Sequence, residues 1–243
     1  MRKTYLEPAE VDLLEKNALT KVRQNGRWGW VPCLRDQLLI RILFRSAVRV
    51  SEALGLRVPE DVDLEQAALH IVRQKERLRL YCPACGVTLG KAYRFCPGCG
   101  QEVAEAVKKA VETRRERTVP LDPETTAMLR EFILRGGPRD GRLFPIGRSQ
   151  AWNIVHQAAR RAALGPLTNP ETGREHGVSP HRLRDAFATL AMQVDDSGDG
   201  QRKLQELMGH KSFNTTARYR KLSGRELHDW YKKVLSKEGK DGP

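Results

Sequence analysis

The 243-residue chain is long enough to bury a core, as one large domain or two small ones. Its 43 Lys and Arg outnumber 30 Asp and Glu, and the net charge of +13 favours a polyanionic partner over a neutral one. The longest apolar stretch, Leu38-Leu39-Ile40 to Ile42-Leu43-Phe44, is broken by Arg41 and is too short to span a bilayer. No apolar signal core follows Met1-Arg2-Lys3, so a cytoplasmic location and no membrane partner are expected.

Residues 1–33 read as an N-terminal extension, with Trp28 and Trp30 expected to pack on the domain and Cys33 as a small buried residue. Apolar positions 38, 39, 42 and 43 predict a core-facing helix over 34–46. A short helix over 51–56 follows the turn that holds Arg49. Alternation over 67–79, with His70, Val72 and Gln74 opposite Leu69, Ile71 and Arg73, predicts a strand. An insertion spans 80–113. A second strand at 117–121 leads to a helix over 123–135, stopped at Gly136-Gly137-Pro138. Further helices are predicted at 149–163, 180–193, 201–208, 214–222 and 225–236. Ser149 and Asn214 are expected first caps, and Gly165 and Gly209 stops. The stretch 165–178 reads as a loop, and 237–243 as a disordered tail. The fold class is α+β, mainly helical, with a small β-sheet.

Four of the five cysteines form two knuckles, Cys82-Pro83-Ala84-Cys85-Gly86 and Cys96-Pro97-Gly98-Cys99-Gly100, ten residues apart. Each CxxC lets two thiolates meet one ion, and two knuckles make a closed tetrahedral site suited to one structural zinc (Zn2+) per chain, or less often iron. Cys82, Cys85, Cys96 and Cys99 fill the coordination shell, so the metal is expected to staple the insertion and to take no part in catalysis. No catalytic cofactor is expected.

The C-terminal half carries the chemistry. His181-Arg182-Leu183-Arg184 puts His181 and Arg184 on one helix face. Leu207-Met208-Gly209-His210 is followed nine residues later by Tyr219, within Asn214-Thr215-Thr216-Ala217-Arg218-Tyr219. Upstream, Ala47-Val48-Arg49-Val50-Ser51-Glu52-Ala53-Leu54-Gly55-Leu56 supplies a further arginine. Singly, each piece is commonplace: a surface arginine, a chance HxxR, a packed tyrosine. In this order the three blocks resemble the tyrosine recombinases of the phage integrase family over about residues 34–222, the cysteine insertion apart.

The resemblance implies a catalytic domain over 34–236, which the insertion at 80–113, a zinc ribbon by its two knuckles, interrupts. It implies cleavage and rejoining of double-stranded DNA through a 3′-phosphotyrosine at Tyr219, without ATP, by a homo-tetramer assembled on the DNA. Arg49, Arg184 and His210 would bind the phosphate. Guanidiniums match its oxygens bidentately and keep their charge, which suits the charge that builds in transesterification. His181 would assist proton transfer at the tyrosine, and Glu52 would orient the arginine-bearing turn. The family's general acid is a lysine on a β-hairpin. Lys75 occupies that place, with Lys91 in the insertion as a rival and an ordinary strand-end lysine as the plain alternative. Family members commonly carry an N-terminal clamp domain of about a hundred residues, whereas about thirty residues precede the first catalytic-domain helix here. Three other readings are weaker. A type IB topoisomerase shares the chemistry without strand exchange, an accessory DNA-binding relic would have lost part of the set, and a zinc-ribbon transcription factor leaves the C-terminal constellation unexplained.

Overall fold

The computed structural model describes residues 3–90, 93–102, 107–169, 172–210 and 212–220. The chain divides into two compact units, Met1–Ile71 with Arg117–Pro243, and Val72–Glu116.

The first unit opens with α1 (Pro8–Lys16), which starts on a proline and has Glu10 accepting the Glu7 backbone N–H at 2.9 Å. A hairpin follows, β1 (Leu19–Gln24) and β2 (Arg27–Pro32), turned by Asn25 and Gly26 at φ 50 and 78. Asn-Gly is the pair that a tight antiparallel turn with two positive φ angles selects. Neither element was expected from the sequence. Leu6, Val11, Leu14 and Ala18 share one core with the next helix, so the stretch from Leu6 to Ala18 folds as part of this unit. Trp28 does not pack on the domain as expected, being 68% exposed, whereas Trp30, 50% exposed, lies against the Arg161 guanidinium at 4.1 Å. Cys33 is half-buried.

Helix α2 (Leu34–Arg45) is the centre of the core, with Leu38, Leu39, Ile40, Ile42, Leu43 and Phe44 all buried. Such all-round burial needs neighbours on every side, which α1 and later helices supply. Arg41, which breaks the apolar run, reaches Glu15 at 2.9 Å and Glu124 at 3.0 Å. The chain continues through α3 (Val50–Ala53), the short strands β3 (Arg57–Val58) and β4 (Val62–Asp63), and the long strand β5 (Ala68–Tyr81). Strand β4 pairs antiparallel with the start of β5 through Val62↔Leu69.

In the second unit, β6 (Thr88–Leu89) pairs with the far end of β5, and β7 (Val107–Pro120) also pairs with β5 before re-entering the first unit. There follow α4 (Pro123–Leu134), whose first cap Asp122 accepts from Thr125 N at 3.0 Å, then β8 (Gly141–Arg142) antiparallel to β3, and α5 (Arg148–Arg161). The predicted loop at 165–178 contains a small antiparallel pair, β9 (Leu167–Thr168) and β10 (Glu175–His176). Last come α6 (Pro180–Val194), α7 (Gly198–Met208) and α8 (Phe213–Arg220), which pack on one another.

The architecture is mainly helical α+β. Three helix ends are displaced from expectation: Gly147 caps α5, placing Ser149 inside the helix, Ala162 and not Gly165 ends it, and Asn214 lies inside α8. The predicted helix at 225–236 and the tail at 237–243 lie outside the described residues. Among the described residues, no helix is long and apolar enough to cross a membrane.

Candidate active site

The C-terminus of α7 organises this site. The last carbonyls of a helix lack intrahelical donors and carry partial negative charge, so cations collect there. Gly209 adopts φ 62, a left-handed conformation open to glycine, and the His210 N–H then reaches back to the Gln205 carbonyl at 3.0 Å. The Leu207 carbonyl accepts from Arg117 Nε at 2.8 Å. That of Met208 accepts from Arg184 Nη2 at 2.7 Å and from Arg49 Nη1 at 3.3 Å. A Cβ at position 209 would sit 2.9 Å from Arg117 Nη1, so the close approach of the arginine requires glycine as well.

Three guanidiniums from distant parts of the chain therefore converge on one helix end. Arg49 caps the start of α3, Arg117 lies near the end of β7, and Arg184 is on the buried face of α6. Glu52 ties two of them together. It accepts from the Arg49 N–H and Arg49 Nη1, both at 2.9 Å, and from Arg117 Nη2 at 2.7 Å. Burial works to raise the Glu52 pKa, but the Arg117 and Arg49 hydrogen bonds and charges outweigh it and bring the carboxyl down to about 2. Arg184 is 2% exposed; burial first, and then repulsion from Arg49, bring it down to about 10, so it remains a cation at neutral pH. Its Nη1 also donates to the Ala47 carbonyl, presented by an alanine held at φ 47.

His210 lies across this cluster. Its Nε2 is 3.1 Å from Arg184 Nη2, and its Nδ1 is 2.9 Å from Thr216 Oγ1. Arginine can only donate, so Nε2 accepts, and the tautomer assigned on that ground carries its proton on Nδ1 and donates to Thr216. Tyr219 stands beside it, its ring parallel to the imidazole within 11° at a centroid distance of 6.3 Å. Packed among Ala47, Ala188, Met192, Leu204 and Met208, Tyr219 is 1% exposed. Its hydroxyl donates to Asp185 Oδ1 at 2.7 Å, and Asp185 Oδ2 accepts from Arg182 at 3.3 Å.

Arg49, Arg184, His210 and Tyr219, singled out in the sequence, are thus brought together. His181 is the second residue of α6, exposed and one turn before Arg184. The Lys75 backbone lies in β5 and its side chain is outside the described residues, as is all of Lys91. Two members of the site were missed. Asp185 directly follows Arg184, and an acid next to that arginine was the available signal. Arg117 carried none, because its partner Glu52 is 65 residues away. Chemically, three guanidiniums around one carboxylate form a seat for an anion whose charge grows during reaction, with a phenol and an imidazole alongside.

The second unit holds the cysteines. Cys82 and Cys99 Sγ are 3.7 Å apart, Cys85 and Cys96 Sγ 3.4 Å, and all four lie within 4.8 Å of one another. A tetrahedral zinc with bonds of ~2.3 Å needs sulfurs about 3.8 Å apart, so the set fits one ion, whereas a disulfide would need ~2.05 Å. The two knuckles share a backbone form. Gly86 and Gly100 both have φ 73, and each donates its N–H to the first cysteine's carbonyl at 2.9 Å.

Comparison with known proteins gives a consistent result. Residues 98–226, more than half of the chain, match the phage integrase family. The tyrosine recombinase XerD of Bifidobacterium longum is 30% identical over 198 residues, covering 82% of this chain and 53% of the relative. XerD of Mycobacterium leprae is 31% identical over 196 residues, covering 81% and 51%. The chain thus spans about half the length of the curated relatives it matches. Among solved structures, the XerA recombinase superposes with a TM-score of 0.59 at 20% identity, covering 96% of this chain and 64% of that one. XerH bound to a palindromic difH substrate gives 0.57 at 19% identity, covering 95% and 53%. At these identities the structural likeness concerns the fold.

Proposed function

This chain belongs to the phage integrase family, and from that premise we propose that it is a site-specific tyrosine recombinase acting on double-stranded DNA. The observation that carries the reading is the placement of Tyr219 and His210 against the arginine cluster at the end of α7.

A phosphodiester seated on Arg49 and Arg184 would have its non-bridging oxygens held by guanidiniums that stay charged throughout, with His210 as a further donor or acceptor. The Tyr219 oxygen attacks phosphorus, a P–O bond to the phenol forms, and the bond to the 5′-oxygen breaks. The phenolic proton leaves with assistance from His181, and Lys75 gives a proton to the departing 5′-oxygen. The bond energy is kept in the 3′-phosphotyrosine. Attack by a 5′-hydroxyl on that linkage reverses the step, so rejoining needs neither ATP nor a catalytic metal. As the charge on the phosphate rises in the transition state, the cationic excess around Glu52 stabilises it more than the ground state. The fit of the four sulfurs supports one structural zinc in the Val72–Glu116 unit, and exchange of strands requires a tetramer on DNA.

The test is incubation with a nicked duplex bearing the flanking genomic sequence, which traps the covalent intermediate. A protein–DNA adduct that is absent with Tyr219→Phe, together with exchanged junctions, supports recombination. Relaxation of supercoils without exchanged junctions would indicate a topoisomerase instead. Binding should also be electrostatic. If about four phosphates are neutralised, affinity falls by roughly a hundredfold between 50 and 200 mM salt.

A further inference from the structure

The β1–β2 hairpin presents one face of alternating aromatic rings and cations. Direct cross-strand neighbours share a face, and the register pairs Lys21 with Trp30 and Arg23 with Trp28. Residues two apart on a strand also share a face, so all four side chains lie on the same side. Trp30 is held between cations, with Lys21 Nζ 5.2 Å from its ring centroid and the Arg161 guanidinium 4.1 Å away. Arg161 is itself tied down, donating to the Asn17 carbonyl at 3.2 Å and to Gln157 Oε1 at 3.1 Å. Trp28 is 68% exposed. Every ionisable side chain between positions 17 and 32 is cationic: Lys21, Arg23 and Arg27.

We infer that this face is a second nucleic-acid surface that binds single-stranded DNA, stacking an unpaired base on Trp28 and placing the adjoining phosphates on Arg23, Lys21 and Arg161. Planar rings interleaved with cations match a strand in which bases and phosphates alternate. A lone exposed indole carries no such meaning, but here Trp28 shares its face with Trp30, Lys21 and Arg23, and that cationic surround selects a polyanion as partner. The ring face of Trp28 can stack only on a base whose own face is free, as in an unpaired strand or a flipped nucleotide; in an intact duplex both faces are occupied. The surface lies outside the cluster around Tyr219, so it extends the recombinase reading without depending on its chemistry.

The experiment measures anisotropy of a fluorescein-labelled thymidine oligonucleotide of about fifteen nucleotides, and of the matching duplex, with the 243-residue chain at fixed salt. Trp28→Ala should weaken single-strand binding by about tenfold, the range expected for loss of one stacked base. Trp28→Phe should restore most of it, and duplex affinity should change less than twofold in either variant. Unaltered single-strand affinity in Trp28→Ala would overturn the inference, as would an equal loss on duplex. A concentration-dependent dimer that disappears in Trp28→Ala would instead assign the face to self-association. Thermal melts establish that the variants fold. Adduct formation through Tyr219 is scored on the same preparations, so failure of the stacking face and failure of the recombinase reading appear in different assays.

Discussion

The Tyr219 hydroxyl and the Asp185 carboxylate are joined by a 2.7 Å hydrogen bond inside a buried pocket. Tyr219 is 1% exposed, so its ring must move before its oxygen can meet a phosphate, and the bond to Asp185 opposes that movement. Asp185→Asn keeps an acceptor of the same shape but weakens the bond by about 1 kcal/mol, the difference between charged and neutral acceptors. Adduct formation on a nicked duplex, followed by rapid quenching, should accelerate by about three- to tenfold. A slower reaction would show that the carboxylate helps to remove the phenolic proton.

Glu52 ties stability to pH. Its carboxyl falls from 4.5 to about 2 in the folded protein, so its contribution is complete above about 4.5 and is lost as pH falls toward 2. The difference corresponds to about 3 kcal/mol. Urea unfolding between pH 6 and pH 3 should show about 2 kcal/mol of this loss for the wild type, the rest following only toward pH 2, and a shallower slope for Glu52→Gln. At pH 7 the variant should itself be less stable by about 3–5 kcal/mol, because Arg49 and Arg117 lose a buried counter-charge.

The arginine cluster should bind a simple tetrahedral anion. Sulfate titrated against chloride at constant ionic strength should raise the melting temperature by about 3–5 °C, as expected for ~1.4 kcal/mol at ten times its dissociation constant. Arg49→Gln should remove most of that rise. An equal rise in the variant would place the anion elsewhere.

Lys75 can be separated from Tyr219 by changing the leaving group. Replacing the bridging 5′-oxygen with sulfur gives a leaving thiolate whose conjugate acid has a pKa of about 8.5, so no donated proton is required. Lys75→Ala should cleave ordinary DNA poorly and the sulfur substrate nearly as well as wild type, while Lys91→Ala resembles wild type on both. Rescue of the Lys91 variant alone would move the general acid into the insertion, and Tyr219→Phe should be rescued by neither substrate.

Metal analysis after dialysis should find one zinc per chain, reduced in Cys82→Ala and Cys99→Ser. Folding free energy on the order of 10 kcal/mol drawn from such an ion means that its removal should expose residues 80–113 to protease. A metal-free preparation with a protease-resistant insertion would rule out the zinc ribbon.

The sequence by itself determined the features that depend on local chemistry. The periodicity at 38, 39, 42 and 43 marks the central helix, and Gly209 marks the end of α7 because a left-handed residue there nearly always requires glycine. Arg49, His181, Arg184, His210 and Tyr219 were singled out because three blocks resemble the tyrosine recombinases in residue type, order and spacing, and of these Arg49, Arg184, His210 and Tyr219 come together in the structure; the four cysteines were legible because two ligands three apart fit one ion. The hairpin at β1 and β2 was also legible in principle, through Asn25-Gly26, but its tryptophans were expected to pack on the domain, and Trp28 stands exposed. Only the tertiary structure decided what these groups lean on. Arg117 joins Glu52 across 65 residues, and Asp185 holds Tyr219 across 34, separations at which sequence spacing carries no geometric information. The end of α7 became the gathering point for three arginines because its unsatisfied carbonyls attract cations, and which cations reach them depends on how α3, α6 and β7 pack around that helix end.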